Sequence, residues 1–506
     1  MRFHGRAGTF TVDAPGEVVA IVPAHATTGR IRLTTPAGTT RSSRPFTVVN
    51  PATIKVTPAD PLPGKRLNVS GRGFGAFEPV QVRLDHVTVA SGDTDSTGRI
   101  RVAFTLSAAI LLGNHTLDLT GLVSSAVATA IFTIFEPWPQ FHFDAAKGGY
   151  QLYENVLSTS NVSSLTTAWT APTGGAINSS PAVASGAVYV GSNDGKLYSF
   201  DAATGAFRWS YQTGARIFSS PAVGTGGIVY VGSADGSVYA LRTSNGSVLW
   251  SRTTGGIVDS SPAVSGGVVY INSEDGVLRA LSASTGTPLW SADCSCANEA
   301  PAVSNGVVYA WRFHPPGGPD HPNSVSAFNA ATGALLWDQE PWNAEPPKTN
   351  GCCGIFTHGL SVVNGRIYVG TASGFTCAMN AADGSEAWCR ATGHVLFYGV
   401  TGVPSVAQGV VRVGTTDGTI RAFNSASGSV LWSLFTTTDI VSSPAVANGV
   451  LYVGAGDGKL YVLNAATGGL LTTKATGGAI VSSPAVSEGR IYVGSGDGKL
   501  YAFGLP

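Results

Sequence analysis

From residue 179 to the end of the chain, short apolar runs alternate with turns marked by glycine, asparagine and aspartate, and the whole arrangement repeats. In the first repeat, residues 181–184 and 187–192 are short, β-branched and apolar, which at this length predicts strands rather than helices. Asn193-Asp194-Gly195 ends the second run, the glycine accepting the positive φ of a tight hairpin. Residues 196–200 give a third strand, residues 201–205 turn the chain, and residues 206–211 give a fourth. The valine of the Pro-Ala-Val step, or its counterpart, recurs at Val183, Val223, Val264, Val303, Val362, Val406, Val446 and Val486. The usual step is about 40 residues, a propeller-blade period rather than a helical-solenoid one. One such sheet cannot bury both its faces, so neighbouring repeats must pack on one another.

Glycine and tryptophan sit four apart at Gly205/Trp209, Gly246/Trp250, Gly286/Trp290, Gly333/Trp337, Gly384/Trp388 and Gly428/Trp432. A flat indole on the outer strand can wedge between repeats where a glycine leaves room. Thr472 takes the tryptophan place in the seventh repeat, so one interface is expected to be weaker. The eighth repeat stops after its third strand. Residues 165–172, with Trp169, carry the missing fourth, and a strand supplied from that side fastens the ring without leaving an edge. The Thr-Gly-x-x-x-Trp pattern is similar to the tryptophan-docking motif of quinoprotein propellers. Trp138-Pro-Gln-Phe-His-Phe-Asp and Asn161-Val-Ser-Ser-Leu resemble the lead-in of bacterial proteins built from PQQ-like repeats. The resemblance spans residues 138–506. The expected fold is all-β, with an eight-bladed β-propeller of four-stranded blades over residues 136–506.

Residues 1–49 resemble the second half of an IPT/TIG-type immunoglobulin-like domain, and residues 50–135 read as an immunoglobulin-like β-sandwich of six strand-like runs. Such modules serve as spacers or adhesion units. The chain starts where the first domain is already half complete, and no apolar signal segment precedes it. A truncated form of an exported bacterial protein is therefore expected, placed outside the cell, on its surface or in the periplasm.

Charge adds mainly exclusions. Thirty basic residues balance thirty acidic ones with no basic run, so nucleic acid and anionic membrane are poor default partners. No apolar run is long enough for a membrane helix, and a monomer is expected. The six cysteines cluster between residues 294 and 389, which favours disulfides in an oxidising compartment over a metal site. Cys377 and Cys389 fall near cross-strand positions of one repeat; Cys294, Cys296, Cys352 and Cys353 have several ways to pair. No metal site is assigned.

The connections that follow second and fourth strands share one face, and every large departure from the repeat falls there. Trp311, His314 and His321 lie in an expanded connection of the fourth repeat; Trp342, Cys352, Cys353 and His358 lie in the next. Tyr398 lies one repeat further, just before Thr401-Gly402-Val403-Pro404. Insertions on one rim of a rigid ring are the usual way such a scaffold builds a site. The vicinal cysteines and the Thr-Gly-x-Pro step resemble those of quinoprotein alcohol dehydrogenases. The resemblance implies pyrroloquinoline quinone with Ca²⁺, against Cys352, Cys353, His358, Thr401 and Gly402. His358 stands where that family has an arginine, and the calcium carboxylate and catalytic base of the family have no counterpart. The reading that follows is a non-catalytic binding propeller, with a small-molecule or protein site on the rim of repeats four to six. A diverged alcohol or polyvinyl alcohol dehydrogenase and an envelope assembly platform are the alternatives.

Overall fold

In the computed structural model the chain divides into two compact bodies, Met1–Ile134 and Phe135–Pro506. The structure describes the chain outside residues 1, 4–5, 8–9, 15–16, 21–29, 36–37, 44–51, 58–64, 108–112, 135–137, 297–298, 313–323, 340–358, 372–373, 393–398 and 401.

The first body is built of strands throughout its described residues. Thr53–Thr57, Arg66–Arg72 and Arg99–Thr105 form one sheet; Pro79–Leu84, Val87–Asp93, Gly113–Gly121 and Val127–Ile134 form another. Period-two alternation points Leu67, Val69 and Ile100 from the first sheet and Val80, Val82, Leu117 and Leu119 from the second into one core.

The second body is a β-propeller. Among the described residues it contains eight sheets, each a meander of a repeat's strands. In the first, Ala182–Ala184, Ala187–Gly191, Lys196–Asp201 and Phe207–Gln212 follow one another in antiparallel register. The short first strands neighbour one another in sequence order, and that of the last sheet returns to that of the first. Thr166–Pro172 pairs antiparallel with Lys499–Gly504, completing the eighth sheet from the amino-terminal side.

The indoles dock across the interfaces, each on the glycine of the following repeat. A β-carbon on Gly205 would stand 2.6 Å from the Trp169 ring, and one on Gly246 2.5 Å from Trp209. With φ of 72° at Gly205, the turn favours glycine twice over. Six of the docked indole N–H groups find a carbonyl of that next turn, among them Trp209 on Thr243 O at 2.8 Å and Trp250 on Ala283 O at 2.9 Å. The Tyr230 hydroxyl donates to the same Ala283 carbonyl at 2.8 Å, so both lone pairs of one buried oxygen are used.

At Thr472 the structure alters the expectation of a weaker interface. The repeat that follows has no turn between third and fourth strands, because its fourth strand comes from residues 166–172. With no glycine to receive an indole, Leu157, Val162 and Leu165 of the lead-in, none more than 2% exposed, join the closing core beside Leu471.

Residues 138–151 run round the axis and meet all eight repeat valines in turn. Trp138 exchanges both backbone hydrogen bonds with Val183, at 2.9 and 2.8 Å. The amides of Val223, Val303, Val362, Val406 and Val446 donate to the carbonyls of Pro139, Ala145, Ala146, Gly148 and Gly149, at 2.6 to 2.9 Å. Side chains serve the other two. Gln140 Oε1 accepts from Val264 N at 3.0 Å, and Gln151 Nε2 donates to Val486 O at 3.1 Å. The first strands, which form the inner edge of every sheet, are thus paired by one segment that fills the axis.

Candidate functional site

Each regular repeat enters its first strand through Ser-Ser-Pro, and the two serines have separate duties. In the first two repeats the first serine bonds within its own sheet, Ser179 Oγ accepting from Gly191 N at 3.0 Å and Ser219 Oγ from Gly232 N at 3.0 Å. The second forms a belt round the axis. Ser180 N donates to Ser220 Oγ, Ser220 N to Ser261 Oγ and Ser443 N to Ser483 Oγ at 2.9 Å, and Ser483 N to Ser180 Oγ at 2.8 Å. Val403 N donates to Ser443 Oγ at 2.9 Å, but Val403 has no hydroxyl to pass the belt on.

The belt is therefore broken at Ala300, Gly359 and Val403, the equivalent positions of repeats four, five and six. Ala300 and Gly359 make a parallel backbone bridge instead. Phe141, from the axial segment, packs on Ala300 and Val403 as a small apolar cluster. A β-carbon on Gly359 would lie 3.2 Å from Val403 Cγ2, so a serine there would crowd the cluster. The result is a buried apolar cluster interrupting an otherwise polar belt, within the repeats whose connections are longest.

Several ionisable groups are held around this region and the axial segment. Glu299 replaces the first serine of repeat four, is partly buried, and is pushed by desolvation up to about 7. Its backbone carbonyl accepts from Ser260 Oγ at 3.2 Å and Asn272 Nδ2 at 3.0 Å. Lys147, wholly buried, has its Nζ 5.2 Å from the centre of the Phe141 ring and 3.4 Å from Pro262 O. Burial pulls it down to about 7, against the opposing attraction of Asp144. His142 sits with Nδ1 2.7 Å from Lys147 O and Nε2 2.8 Å from Pro444 O; burial brings it down to about 4. Asp259 is raised by burial although Arg216 lies 3.5 Å away, and that guanidinium also covers the Phe218 ring at 4.5 Å.

The residues expected at the site fall into two sets. Gly402 is described and packs on the next repeat, where a β-carbon would meet Ser442 O at 3.0 Å. Trp311 is 7% exposed and belongs to the apolar cluster between repeats four and five, with its indole N–H unpaired. Cys352, Cys353, His358, Thr401, His314, His321, Trp342 and Tyr398 lie outside the described residues. Cys377 and Cys389 face each other on adjacent strands and form a disulfide, with Cα atoms 4.1 Å apart. Cys294 is disulfide-bonded as well.

The Asp-Gly aspartates are committed to turns. Asp194 Oδ1 accepts from Lys196 N at 2.9 Å, and Oδ2 from Gly174 N at 2.9 Å and from the Tyr198 hydroxyl at 2.5 Å. The bond to Gly174 ties the connection after a fourth strand to the hairpin after a second strand, so both lie on one face. Two residues of this region were not anticipated from the sequence. Glu299 was visible as Glu-Ala-Pro in place of Ser-Ser-Pro; Phe141 carried no sequence signal, because its part depends on where the axial segment runs.

The family model described as outer membrane protein assembly factor BamB matches residues 153–256, 213–312, 321–444 and 437–504. The chain belongs to this repeat family. Among known proteins, the chain is 32% identical over 117 residues to the dehydrogenase subunit of alcohol dehydrogenase (quinone) of Gluconobacter oxydans, covering 21% of this chain and 14% of that protein. It is 29% identical over 111 residues to the quinohemoprotein alcohol dehydrogenase of Comamonas testosteroni, with the same coverage. The chain thus matches only a small part of the length of these relatives. Among solved structures, the Comamonas testosteroni quinohemoprotein alcohol dehydrogenase superposes with a TM-score of 0.61 at 17% identity, covering 73% of this chain and 80% of the other. BamB from Moraxella catarrhalis gives 0.54 at 19% identity, covering 67% and 97%. Both likenesses are of fold.

The quinone cofactor named by the sequence resemblance can be set against the described residues of this region. Phe141, Ala300 and Val403 are apolar, and the nearest acid in sequence, Glu299, is a carboxyl group raised by desolvation. A carboxylated cofactor needs a cationic partner, and a calcium ion needs converging oxygen ligands. The cation beside the cluster, Lys147 with its Nζ 5.2 Å from the Phe141 ring, is wholly buried and brought down to about 7, and among the described residues no group of three or more His, Cys, Asp or Glu side chains could hold a metal ion. Of the residues that the resemblance assigns to the cofactor, Gly402 alone is among the described ones.

Proposed function

We propose that this chain is an eight-bladed binding propeller of the bacterial envelope or exterior, carried behind immunoglobulin-like spacers at residues 1–49 and 50–135. Its partner, a small molecule or a protein, engages the rim of repeats four to six. The break in the serine belt carries the reading: the only repeats among the eight that lack the second serine are also those with the longest connections. The apolar break in the belt, centred on Phe141, would give the rim a fixed base, and the partner's contacts would come from the connections of repeats four to six. The match to a family described as an assembly factor supports a protein partner. The reading is tested by in-cell crosslinking of the wild type and of a variant with residues 313–323 replaced by an Asn-Asp-Gly turn. Loss of a crosslinked species supports it, and an unchanged pattern overturns it.

A second reading is favoured by one observation, the local identity to quinone-dependent alcohol dehydrogenases. Under it, pyrroloquinoline quinone with Ca²⁺ binds at Cys352, Cys353, His358, Thr401 and Gly402. Titration with both, followed by tryptophan quenching and dye reduction on simple alcohols, separates the two. Saturable quenching with turnover supports the enzyme; no binding at about 10⁻⁵ M retires it.

A further inference from the structure

The sandwich of the first body carries a feature independent of the propeller. At one of its ends the connections at residues 73–78 and 121–126 lie side by side, held by Leu122 N on Pro79 O at 2.9 Å. Three large apolar side chains stand out from them: Phe77 is 73% exposed, Leu122 54% and Val123 77%. Phe77 holds a φ of 53°, a left-handed conformation that favours glycine over a bulky residue. Stability alone does not account for an aromatic ring there.

The backbone of the tip is dry in a particular sense. Glu78, buried, accepts from Gly75 N, from Val123 N at 3.1 Å, from Ser124 N at 2.7 Å and from the Ser124 hydroxyl at 2.6 Å. Gly121 N donates to Ala126 O at 2.9 Å, Ser125 N to Gly121 O at 3.1 Å and Ala126 N to Ser124 Oγ at 3.2 Å. Every backbone N–H from residue 121 to residue 126 therefore has an acceptor within the protein. A turn that stays in water does not need this, since solvent supplies acceptors. A turn that leaves water does, because each unpaired amide is then costly.

We propose that this tip inserts into the interfacial layer of an uncharged lipid bilayer, through Phe77, Leu122 and Val123. The two connections carry no lysine, arginine or aspartate, their one carboxylate, Glu78, is turned to internal donors, and exposed Asp95 of the adjoining connection, whose carbonyl receives Phe77 N at 3.3 Å, accepts from Thr97 N and Arg99 N of its own turn. That matches a zwitterionic surface, not an anionic one, which recruits basic residues. Three large exposed apolar side chains on adjoining connections are also better suited to enter a soft layer than to enclose a ligand.

The full chain is mixed with sucrose-loaded phosphatidylcholine vesicles and centrifuged. The wild type is expected in the pellet, equally at low salt and at about 0.5 M salt, where charge attraction is screened. Phe77→Ser and Val123→Ser should each lower the vesicle partition about tenfold, and Phe77→Leu should restore most of it. Unchanged circular dichroism and thermal midpoint of these exposed-site variants establish that folding is intact. Wild type left in the supernatant, or pelleting indifferent to both serine variants, overturns the proposal. Failure to pellet combined with Val123-dependent self-association in sedimentation velocity also overturns it, assigning the tip to a second copy of the chain.

Discussion

Gln140 is the residue through which the axial segment can be tested most locally. Most repeat valines donate to a backbone carbonyl of residues 138–151, which no substitution removes, but Val264 relies on the Gln140 side chain. Its amide reaches Oε1 at 3.0 Å, and its carbonyl receives Nε2 at 3.4 Å. Gln140→Met keeps the length of the side chain and removes both bonds. The Val264 amide then faces a thioether, and an unsatisfied buried donor costs about 1–3 kcal/mol. In native-state hydrogen exchange this lowers protection at Val264 by about 5- to 150-fold, while Val223 and Val303, held by Pro139 and Ala145, keep theirs. Gln140→Glu keeps the acceptor and should retain most of the protection. An unchanged Val264 refutes the reasoning. So does a uniform fall at all eight valines, which would make the segment a single cooperative closure rather than a series of separate locks.

The remaining expectations concern packing and titration. Trp250→Ala, at an indole 7% exposed, should cost about 3–5 kcal/mol in denaturant titration. Trp250→Phe should cost about 1 kcal/mol, because Tyr230 still donates to Ala283 O. Thr472→Trp should bring no gain, there being no turn glycine opposite; a clear rise in midpoint would contradict the account of the closing interface. Glu299 has a folded pKa raised to about 7, above its unfolded value of 4.5. Between those values the folded state holds more protons, so stability falls as pH rises through that window, and Glu299→Gln should flatten the fall. Lys147 is the reverse case, with a folded pKa lowered to about 7 from 10.5. There the unfolded chain holds more protons, so stability should climb from pH 7 upward, and Lys147→Met should remove the climb. Denaturation midpoints measured across both windows check the two signs.

The sheets were legible in the sequence because their signals are local: alternation over four to six residues, a glycine at each turn, a tryptophan at a fixed offset. The donation of Thr166–Pro172 to the last sheet was legible too, because it appears as a surplus at one end of the repeat and a deficit at the other. What stayed hidden acts through atoms that every residue shares. Residues 138–151 bind the ring chiefly by their carbonyls, so Pro139, Ala145, Ala146, Gly148 and Gly149 carry no side-chain mark of the task. The serine belt shows the intermediate case. Ser-Ser-Pro is plain in the sequence, but the different duties of its two hydroxyls follow only from the curvature of the ring.

That division bears on how the site arose from the repeat. The belt needs a hydroxyl at one position, and the axial segment needs only a main chain at another. Substitution of the second serine by Ala300, Gly359 and Val403 therefore opens the belt without loosening the axial bonds at Val303, Val362 and Val406. Three consecutive repeats could lose the polar belt, and their connections could lengthen, while the inner edges of their sheets remained paired. The break in the belt is thus held from the axial side by bonds that its own substitutions leave intact, which is what a proposed binding rim on these repeats would need.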